Sequence, residues 1–373
     1  MHILITADTV GGVWTYAREL VTGLLGHGVR VTLVSFGDIP SLSQTHWMHQ
    51  LRAEHDGRFD YRPTAFKLEW MQDSAADLKA SADYLRRLIG EIKPDILHFN
   101  QFYYGSLDCD LPRLVVAHSD VVSWWFAVHG TAPPSSSWLS WYCESVSRGL
   151  DKATAVIAPS TWMLELVERH YVKPRYGSVI YNGRSPGFFN PYMTKEDRIV
   201  SVGRLWDKGK NAELLLQRQM PAPVSIVGAR HQPGTEAGRF AVENAGPNVD
   251  LEPQQDERQM AQILGRASIY AAVSQYEPFG LAPVEAALSR CALVASDIPA
   301  LRELWDGAAV FFRNNDAQDL RQTLEMLVRD PALCRQCADL VYNRARERFH
   351  AARMTEDYLA LYRALAPTAA AVA

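Results

Sequence analysis

The sequence predicts an α/β protein with two domains, each built on an open parallel sheet with helices on both faces. The chain has 373 residues, more than one hydrophobic core usually covers. Apolar runs of strand length alternate with segments of helical apolar spacing along nearly the whole chain. Residues 184–197 contain Pro186, Gly187 and Pro191 and show no such periodicity. We therefore predict a linker there, between two domains.

The first predicted domain spans residues 1–183. Its strands are predicted near 2–7, 30–36, 95–99, 113–118, 154–158 and 177–181, and its helices near 13–26, 76–92, 137–149 and 160–170.

The second predicted domain spans residues 198–349. Its strands are predicted at 198–202, 223–227, 268–273, 292–296 and 308–312, and its helices at 209–218, 256–265, 282–290, 299–305 and from 316 onward. Residues 350–373 are expected to form a last helix, at about 350–365, followed by a frayed low-complexity tail.

The composition is that of an ordinary globular protein, with 47% hydrophobic and 21% charged residues. A net charge of −4 gives no electrostatic reason to expect nucleic acid as a partner. The chain begins directly with an apolar strand, and no apolar run reaches the ~18 residues that a bilayer span needs. We expect a cytoplasmic protein without stable membrane insertion.

Five cysteines form an odd and sparse set, which is typical of reduced thiols. Cys334 and Cys337 have the spacing of half a zinc site or of a redox pair. They lie in a segment of helical pattern without a second ligand pair nearby. We interpret them as ordinary helix residues.

Residues 274–289 carry the chemistry that stands out most in the chain. An apolar strand precedes them, and a helical pattern begins at Pro283, so the segment is predicted to be strand, turn and helix. The free amides of such a helix start suit a phosphate, and Gly280 allows close approach of the backbone. Glu277 and Glu285 can accept hydrogen bonds from sugar and ribose hydroxyls. The pattern indicates a nucleotide-sugar site, and the alternative is a solvated helix start with glutamates near its dipole.

Two glutamates eight positions apart around Phe279-Gly280-Leu281 resemble the signature of family-4 retaining glycosyltransferases of the GT-B fold. Further landmarks of that family follow in the same order, and the resemblance extends from about residue 2 to about 365. They are the Gly11-Gly12 loop, His118 after a strand, the stretches 155–160 and 179–183, and Gly203-Arg204-Leu205 followed by Lys208 and Lys210.

The resemblance implies two Rossmann-like domains that face each other across a deep cleft. The first domain would be the acceptor side and the second would bind the nucleotide-sugar donor. The last helix would cross back to the first domain. The family generally works without a metal ion.

The resemblance also implies roles for single residues. Arg204 and a lysine would stabilise the departing diphosphate, and Lys210 is favoured over Lys208. Glu277 would hold the donor sugar and Glu285 the ribose. The amides of Phe279, Gly280 and Leu281 would bind sugar and phosphates.

In the first domain, Gly11 and Gly12 would let the loop approach the reacting centre, and the alternative is an ordinary strand-to-helix turn that needs a positive φ. His118 would reach the donor sugar, and the alternative is a structural histidine. Trp124, in the run Trp124-Trp125-Phe126, could stack on an acceptor or belong to the core.

The resemblance therefore implies a retaining glycosyltransferase without a cofactor. Neither predicted domain offers a paired-carboxylate loop suited to Mg²⁺, so no metal is expected. The acceptor would be a hydroxyl or amine of a small molecule or glycan. The alternatives are a GT-B sugar-nucleotide epimerase, a phosphorylase, or an idle nucleotide-sugar-binding protein. The sequence gives no signal for the base, the sugar, the acceptor or an oligomeric state.

Overall fold

The computed structural model describes residues 1–231 and 248–366, which fall into two compact units. The first unit contains residues 1–125 and 131–182 together with the chain from Ala351 onward. The second contains residues 126–130 and 183–350. The predicted tail lies, apart from its first residue, outside the described residues.

The first unit is built on a seven-stranded parallel sheet in the order β3-β2-β1-β4-β5-β6-β7. Because chain order reverses beside β1, the switch point of this sheet lies between β1 and β4. The strands are β1 (His2–Asp8), β2 (Arg30–Phe36), β3 (Phe59–Pro63), β4 (Ile96–Phe99), β5 (Arg113–Val116), β6 (Ala155–Ala158) and β7 (Gly177–Val179).

Six helices follow these strands. They are α1 (Gly12–Gly26), α2 (Leu42–Glu54), α3 (Ala75–Ile92), α4 (Val121–His129), α5 (Ser137–Lys152) and α6 (Thr161–His170). The last four residues of α4, 126–129, belong to the second unit. Serine side chains accept a hydrogen bond from an amide of the first turn at α2, α5 and α6, the usual N-cap interaction.

The second unit contains a six-stranded parallel sheet in the order β10-β9-β8-β11-β12-β13, with its switch point between β8 and β11. The strands are β8 (Glu196–Val202), β9 (Val224–Val227), β10 (Val249–Glu252), β11 (Ala267–Ala272), β12 (Ala292–Ser296) and β13 (Val310–Phe312).

The helices of the second unit are α7 (Glu257–Arg266), α8 (Leu281–Leu288), α9 (Pro299–Trp305), α10 (Ala317–Arg329) and α11 (Pro331–Arg348). Cys334 and Cys337 are buried in α11 and belong to the hydrophobic core of this unit. This confirms their interpretation as helix residues.

The last helix, α12 (Ala351–Leu365), belongs to the first unit. It packs on α1 so closely that a side chain at Gly23 would collide with Thr355. Its Tyr362 hydroxyl lies 2.6 Å from Nδ1 of His98 on β4, and Tyr358 packs against Tyr16 of α1. A buried cluster of aromatic rings therefore joins α12 to the first sheet.

The predicted helix at 209–218 is wrong. Two short 3₁₀ helices stand there, Lys208–Lys210 and Ala212–Leu216. Asp207 caps the first by accepting a hydrogen bond from the Gly209 amide at 2.9 Å, and Asn211, at φ 52°, ends it. A left-handed residue cannot continue an α-helix.

Several boundaries also differ from prediction. β5 ends at Val116, β7 ends at Val179 and β13 begins at Val310. The segment predicted as a linker contains a 3₁₀ turn, Pro186–Phe188, and the first residues of β8. Within the described ranges, no helix combines the length and the hydropathy needed to cross a bilayer.

Candidate active site

Two loops meet at the switch point of the second sheet, one after β8 and one after β11. The amides of Gln275 and Tyr276 both donate to the Gly209 carbonyl, at 2.9 and 3.2 Å. These bonds hold the turn at 208–210 against the loop at 274–280. The carboxyl ends of strands at a switch point are where open α/β sheets bind ligands.

Lys210 and Glu277 form a close ion pair between these two loops. Nζ of Lys210 lies 2.6 Å from Oε2 of Glu277, and the Ser274 hydroxyl lies 3.3 Å from the same oxygen. Lys210 is half-buried, whereas Lys208 on the same turn is exposed. The structure therefore brings Lys210, and not Lys208, into the motif that contains Glu277.

Arg204 is held on the same turn by Asp207. An Nη of Arg204 donates to Oδ2 of Asp207 at 2.7 Å, and the guanidinium lies 5.2 Å from the ring centre of Trp206. Asp207 is 6% exposed and uses its other oxygen to cap Gly209. Sequence reasoning missed Asp207, although an aspartate just before a Lys-Gly turn is a typical capping signal.

The Phe279-Gly280-Leu281 turn leads directly into α8. Gly280 is the N-cap residue of α8, with φ 85°. Because glycine has no side chain, no N-cap side chain accepts a hydrogen bond from the first amides of α8. A Cβ at this position would lie 3.1 Å from Cγ of Glu277. The ring of Phe279 is buried 5.4 Å from that of Phe349, which anchors the turn.

Glu285, on α8, is paired with a buried arginine that the sequence did not reveal. Nε of Arg184 lies 2.8 Å from Oε1 of Glu285, and an Nη of Arg184 lies 2.6 Å from Oε1 of Glu257 on α7. Arg184 is 1% exposed. It stands in the segment predicted as a linker, so no sequence signal could have found it.

In the first unit, the predicted residues lie at the carboxyl edge of the sheet. Gly11 is the N-cap of α1 with φ 79°, a conformation that favours glycine, and Gly12 is the first residue of α1. His118 follows β5, with its ring 4.6 Å from that of Tyr16. Burial lowers the pKa of His118 to about 3, so the imidazole is neutral at neutral pH.

His118 is also part of a polar cluster. Its Nε2 lies 2.8 Å from Oδ1 of Asn100, which comes directly after β4. Trp124 lies on α4, half-buried, with its ring 6.3 Å from that of Trp125. Among the residues that the structure describes, no group of three or more His, Cys, Asp or Glu side chains could hold a metal ion.

Comparison with solved structures gives the same fold. Sucrose-phosphate synthase from Thermosynechococcus elongatus superimposes with a TM-score of 0.79 and 19% identity, covering 98% of this chain and 99% of that one. Anabaena HepE in complex with UDP and glucose superimposes with a TM-score of 0.73 and 16% identity, covering 98% and 100%. These likenesses identify the GT-B fold with two Rossmann-like domains.

Sequence comparison gives the family. The α-maltose-1-phosphate synthase of Mycolicibacterium smegmatis is 25% identical over 309 residues, 72% of this chain and 78% of that protein. The model of glycosyltransferase family 4 matches residues 10–187, and the model of glycosyl transferases group 1 matches residues 189–344. The chain therefore belongs to the family 4, group 1 glycosyltransferases.

Proposed function

We propose that this glycosyltransferase is retaining and metal-independent, and that it moves a sugar from a nucleoside-diphosphate sugar to a hydroxyl or amine of a small molecule or glycan. The observation that carries the proposal is the set of charges at the switch point of the second sheet. Arg204, Lys210 and Glu277 stand there beside the start of α8. The odd and sparse set of five cysteines supports a cytoplasmic location for the reaction.

Arg204 and Lys210 supply the positive charge that a departing diphosphate needs. A guanidinium offers a planar fork to phosphate oxygens, and an ammonium is a point charge on a flexible stem. Asp207 fixes the first group and Glu277 the second, at 2.7 and 2.6 Å. Charges fixed in advance stabilise a transition state without a cost of reorganisation. The same pair takes the place that a metal ion has in other transferases.

Glu277 and Glu285 are proposed to accept hydrogen bonds from opposite ends of the donor. Glu277, next to the Gly280 turn, would accept from the sugar hydroxyls, and Glu285, further along α8, from the ribose. The amides of Phe279, Gly280 and Leu281 would bind sugar and phosphate oxygens at the helix start. Lys208 would contribute only long-range charge.

Retention follows if the acceptor attacks the face that the diphosphate leaves. The acceptor oxygen bonds to the anomeric carbon while the bond from that carbon to the phosphate oxygen breaks. The acceptor proton passes to the departing phosphate oxygen. Gly11, Gly12, His118 and Trp124 of the first domain are assigned to the sugar and acceptor side, so positioning and charge carry the catalysis.

The relatives suggest which substrates to test first. HepE has been crystallised with UDP-glucose, and the names of two further relatives contain a phosphorylated sugar product. We therefore propose UDP-glucose as the first donor and sugar phosphates as the first acceptors.

A thermal-shift panel of nucleoside diphosphates, followed by NMR of the product, tests the function. We expect stabilisation by one base above the others, since a ligand that binds the folded state stabilises it by mass action. The product should keep the anomeric configuration of the donor, and excess EDTA should leave the rate unchanged.

The other outcomes are equally informative. An inverted anomer would overturn retention, and EDTA inactivation reversed by Mg²⁺ would overturn metal independence. An epimerised donor, consumption of free phosphate, or binding without turnover would favour an epimerase, a phosphorylase or an idle binding protein, respectively.

A further inference from the structure

Arg184 is a buried cation of the second unit, 1% exposed, in the segment that precedes β8. Its backbone amide donates to the carbonyl oxygen of Phe349 at 2.9 Å. The central carbon of its guanidinium lies 5.4 Å from the ring centre of Phe189. Because both the backbone and the side chain are held, the charge has a fixed position. A buried charge is costly unless it is paired, so its partners indicate what it does.

The guanidinium of Arg184 pairs with two carboxylates on two different helices. Its Nε lies 2.8 Å from Oε1 of Glu285 on α8, and an Nη lies 2.6 Å from Oε1 of Glu257 on α7. Of the two glutamates, Glu285 belongs to the predicted nucleotide-sugar motif at 274–289. The buried cation is therefore in direct contact with a carboxylate that is proposed to bind the donor.

Support of the two helices does not by itself account for this group of charges. Desolvation offsets most of the attraction within a buried ion pair, and apolar residues of similar volume often stabilise a fold as well. Lys195 already joins the same helices, since its Nζ lies 3.3 Å from the Leu264 carbonyl of α7 and 2.6 Å from the Ser289 carbonyl directly after α8. A role for Arg184 at the Glu285 side chain itself is the more specific explanation.

The contact with Arg184 restricts the Glu285 side chain. A free glutamate side chain has several rotamers, and fixing it on a ligand costs conformational entropy. With a fixed guanidinium 2.8 Å away, the carboxylate of Glu285 is ordered before a ligand arrives. An ionised carboxylate accepts hydrogen bonds and donates none, which matches hydroxyl donors. A carboxylate ordered in this way binds hydroxyls with a smaller loss of entropy.

We propose that Arg184 is a positioning residue that fixes the Glu285 carboxylate for the ribose hydroxyls of the donor, an inference that rests on the ribose role proposed for Glu285 above. Arg184 does not contact the ligand in this arrangement. It acts through Glu285, and other groups bind the phosphates. Its substitution therefore weakens the binding of nucleotides that carry the ribose hydroxyls and has little effect on nucleotides that lack them.

Calorimetry with UDP and with 2′,3′-dideoxy-UDP tests this role, because the two ligands differ only in the ribose hydroxyls. Arg184→Met should lower the affinity for UDP about tenfold or more, the effect of losing one hydrogen bond to a charged group. Binding of the dideoxy compound should change much less, since only long-range charge screened by salt is lost. Equal losses for the two ligands would overturn the proposal.

Lys195→Met is the matched control for mere support of α7 and α8. It removes a cation that joins the same two helices and has no contact with Glu285. It should lower the stability of the second unit and leave the affinity for UDP unchanged. A loss of UDP affinity as large as that of Arg184→Met would show that binding depends on helix support, which would also overturn the proposal.

A double-mutant cycle tests whether Arg184 acts through Glu285. The variant that combines Arg184→Met with Glu285→Ala should bind UDP no more weakly than Glu285→Ala alone, because the carboxylate to be positioned is already absent. Additive losses would contradict the proposal. Arg184→Lys provides a second variant, since it keeps the buried charge and loses the planar fork. It should show the same dependence on the ribose hydroxyls with a smaller loss.

The results separate failure of this role from failure of the proposed function. If Glu285→Ala weakens UDP binding and neither Arg184 variant does, only the positioning role is wrong. If Glu285→Ala binds UDP as the wild type does, the ribose role of Glu285 is wrong and the role of Arg184 falls with it. If UDP does not bind the wild type, the proposed donor base is wrong. The series then uses the nucleoside diphosphate that stabilises the protein in the thermal-shift panel, because every one of them carries a ribose.

Discussion

At the scale of single residues, the site is a set of charges held in place by neighbours. Lys210 is paired with Glu277, Arg204 with Asp207, and Glu285 with Arg184. Each side chain proposed to bind the donor thus has a partner that limits its movement. A close, charge-assisted contact is both stronger and more directional than a neutral hydrogen bond.

The two lysines of the turn at 208–210 give a matched pair of variants. Lys210→Ala and Arg204→Ala should each lower turnover ~10²-fold or more, because each removes a fixed charge from the departing phosphate. Lys208→Ala, on the same turn but exposed, should have a much smaller effect. Steady-state kinetics with the active donor measure this. A larger loss for Lys208→Ala would reverse the assignment of the phosphate lysine.

The two glutamates should separate binding from turnover. Glu285→Ala should weaken binding of the bare nucleoside diphosphate, since an acceptor for ribose hydroxyls is lost. Glu277→Ala should mainly lower turnover with the sugar donor. Calorimetry with the diphosphate alone, beside kinetics with the full donor, decides between them. Equal losses of diphosphate affinity in both variants would contradict the assigned roles.

The site residues that the sequence predicted lie in short local motifs, whereas Arg184 and Asn100, which it missed, are their partners from elsewhere in the chain. Glu277, Gly280 and Glu285 form one continuous motif, and Arg204 and Lys210 another, so spacing alone brings them to attention. Their partners come from remote parts of the chain. Arg184 reaches Glu285 from a segment without periodicity, and Asn100 reaches His118 from the neighbouring strand. Pairings of this kind depend on the tertiary fold, which local spacing does not encode.

At the scale of elements, both candidate regions lie at switch points of parallel sheets. The loops after β8 and β11 carry the charges, and buried polar side chains lie at the carboxyl ends of β1 and β4. At a switch point the chains leave two neighbouring strands in opposite directions, which opens a crevice at their carboxyl ends. Topology therefore accounts for the gathering of polar groups at both places.

Strands β3 and β10 were missed by sequence analysis, whereas the interior strands were predicted. Both missed strands lie at the edge of their sheets. Interior strands of a parallel sheet are buried on both faces and appear as apolar runs. The two missed strands contain charged residues and, in β3, a proline, as expected where one side faces solvent. Such short polar strands carry little signal in a single sequence.

Arg184 joins the helices α7 and α8 through its two carboxylate partners. Arg184→Met should destabilise the second unit by about 3 kcal/mol, because removing one partner of a buried ion pair leaves uncompensated charge. Glu257→Gln is the matched control, since Glu257 is the more exposed partner, at 25% against 15% for Glu285. It should cost less. Urea unfolding measures both, and equal stability of Arg184→Met and the wild type would contradict a structural role for the pair.

At the scale of the whole molecule, buried titratable groups make stability depend on pH. Burial lowers the pKa of His98 to about 3, far below its ordinary value of 6.5. Its contribution to stability is complete above pH 6.5 and is lost as the pH falls towards 3, because the unfolded chain binds the proton first. Burial raises the pKa of Glu69 to about 7, so its contribution is complete below pH 4.5 and is lost as the pH rises through about 7.

The pKa shifts of His98 and Glu69 change stability with pH in opposite directions, and substitution of each residue tests this. Between pH 4.5 and 6.5, His98→Gln should make stability rise less steeply with pH, by up to about 1.4 kcal/mol per pH unit. Glu69→Gln should make it rise more steeply. Hydrogen exchange of amides in β1 to β7 reports the stability of the first unit at each pH. Parallel curves for the wild type and His98→Gln would show that this histidine does not contribute.

Because α12 belongs to the first unit but is made last, the first unit cannot be completed until the end of synthesis. Strands β1 to β7 leave the ribosome first, but the helix that covers Tyr16 and His98 follows only after the whole second unit has been made. At typical translation rates this delay is roughly ten to thirty seconds. During that time the rings of Tyr16, on α1, and His98, on β4, stay open to chaperones and proteases. A ribosome-bound chain halted before Ala351 should therefore be cut in its first unit far faster than one in which α12 has emerged.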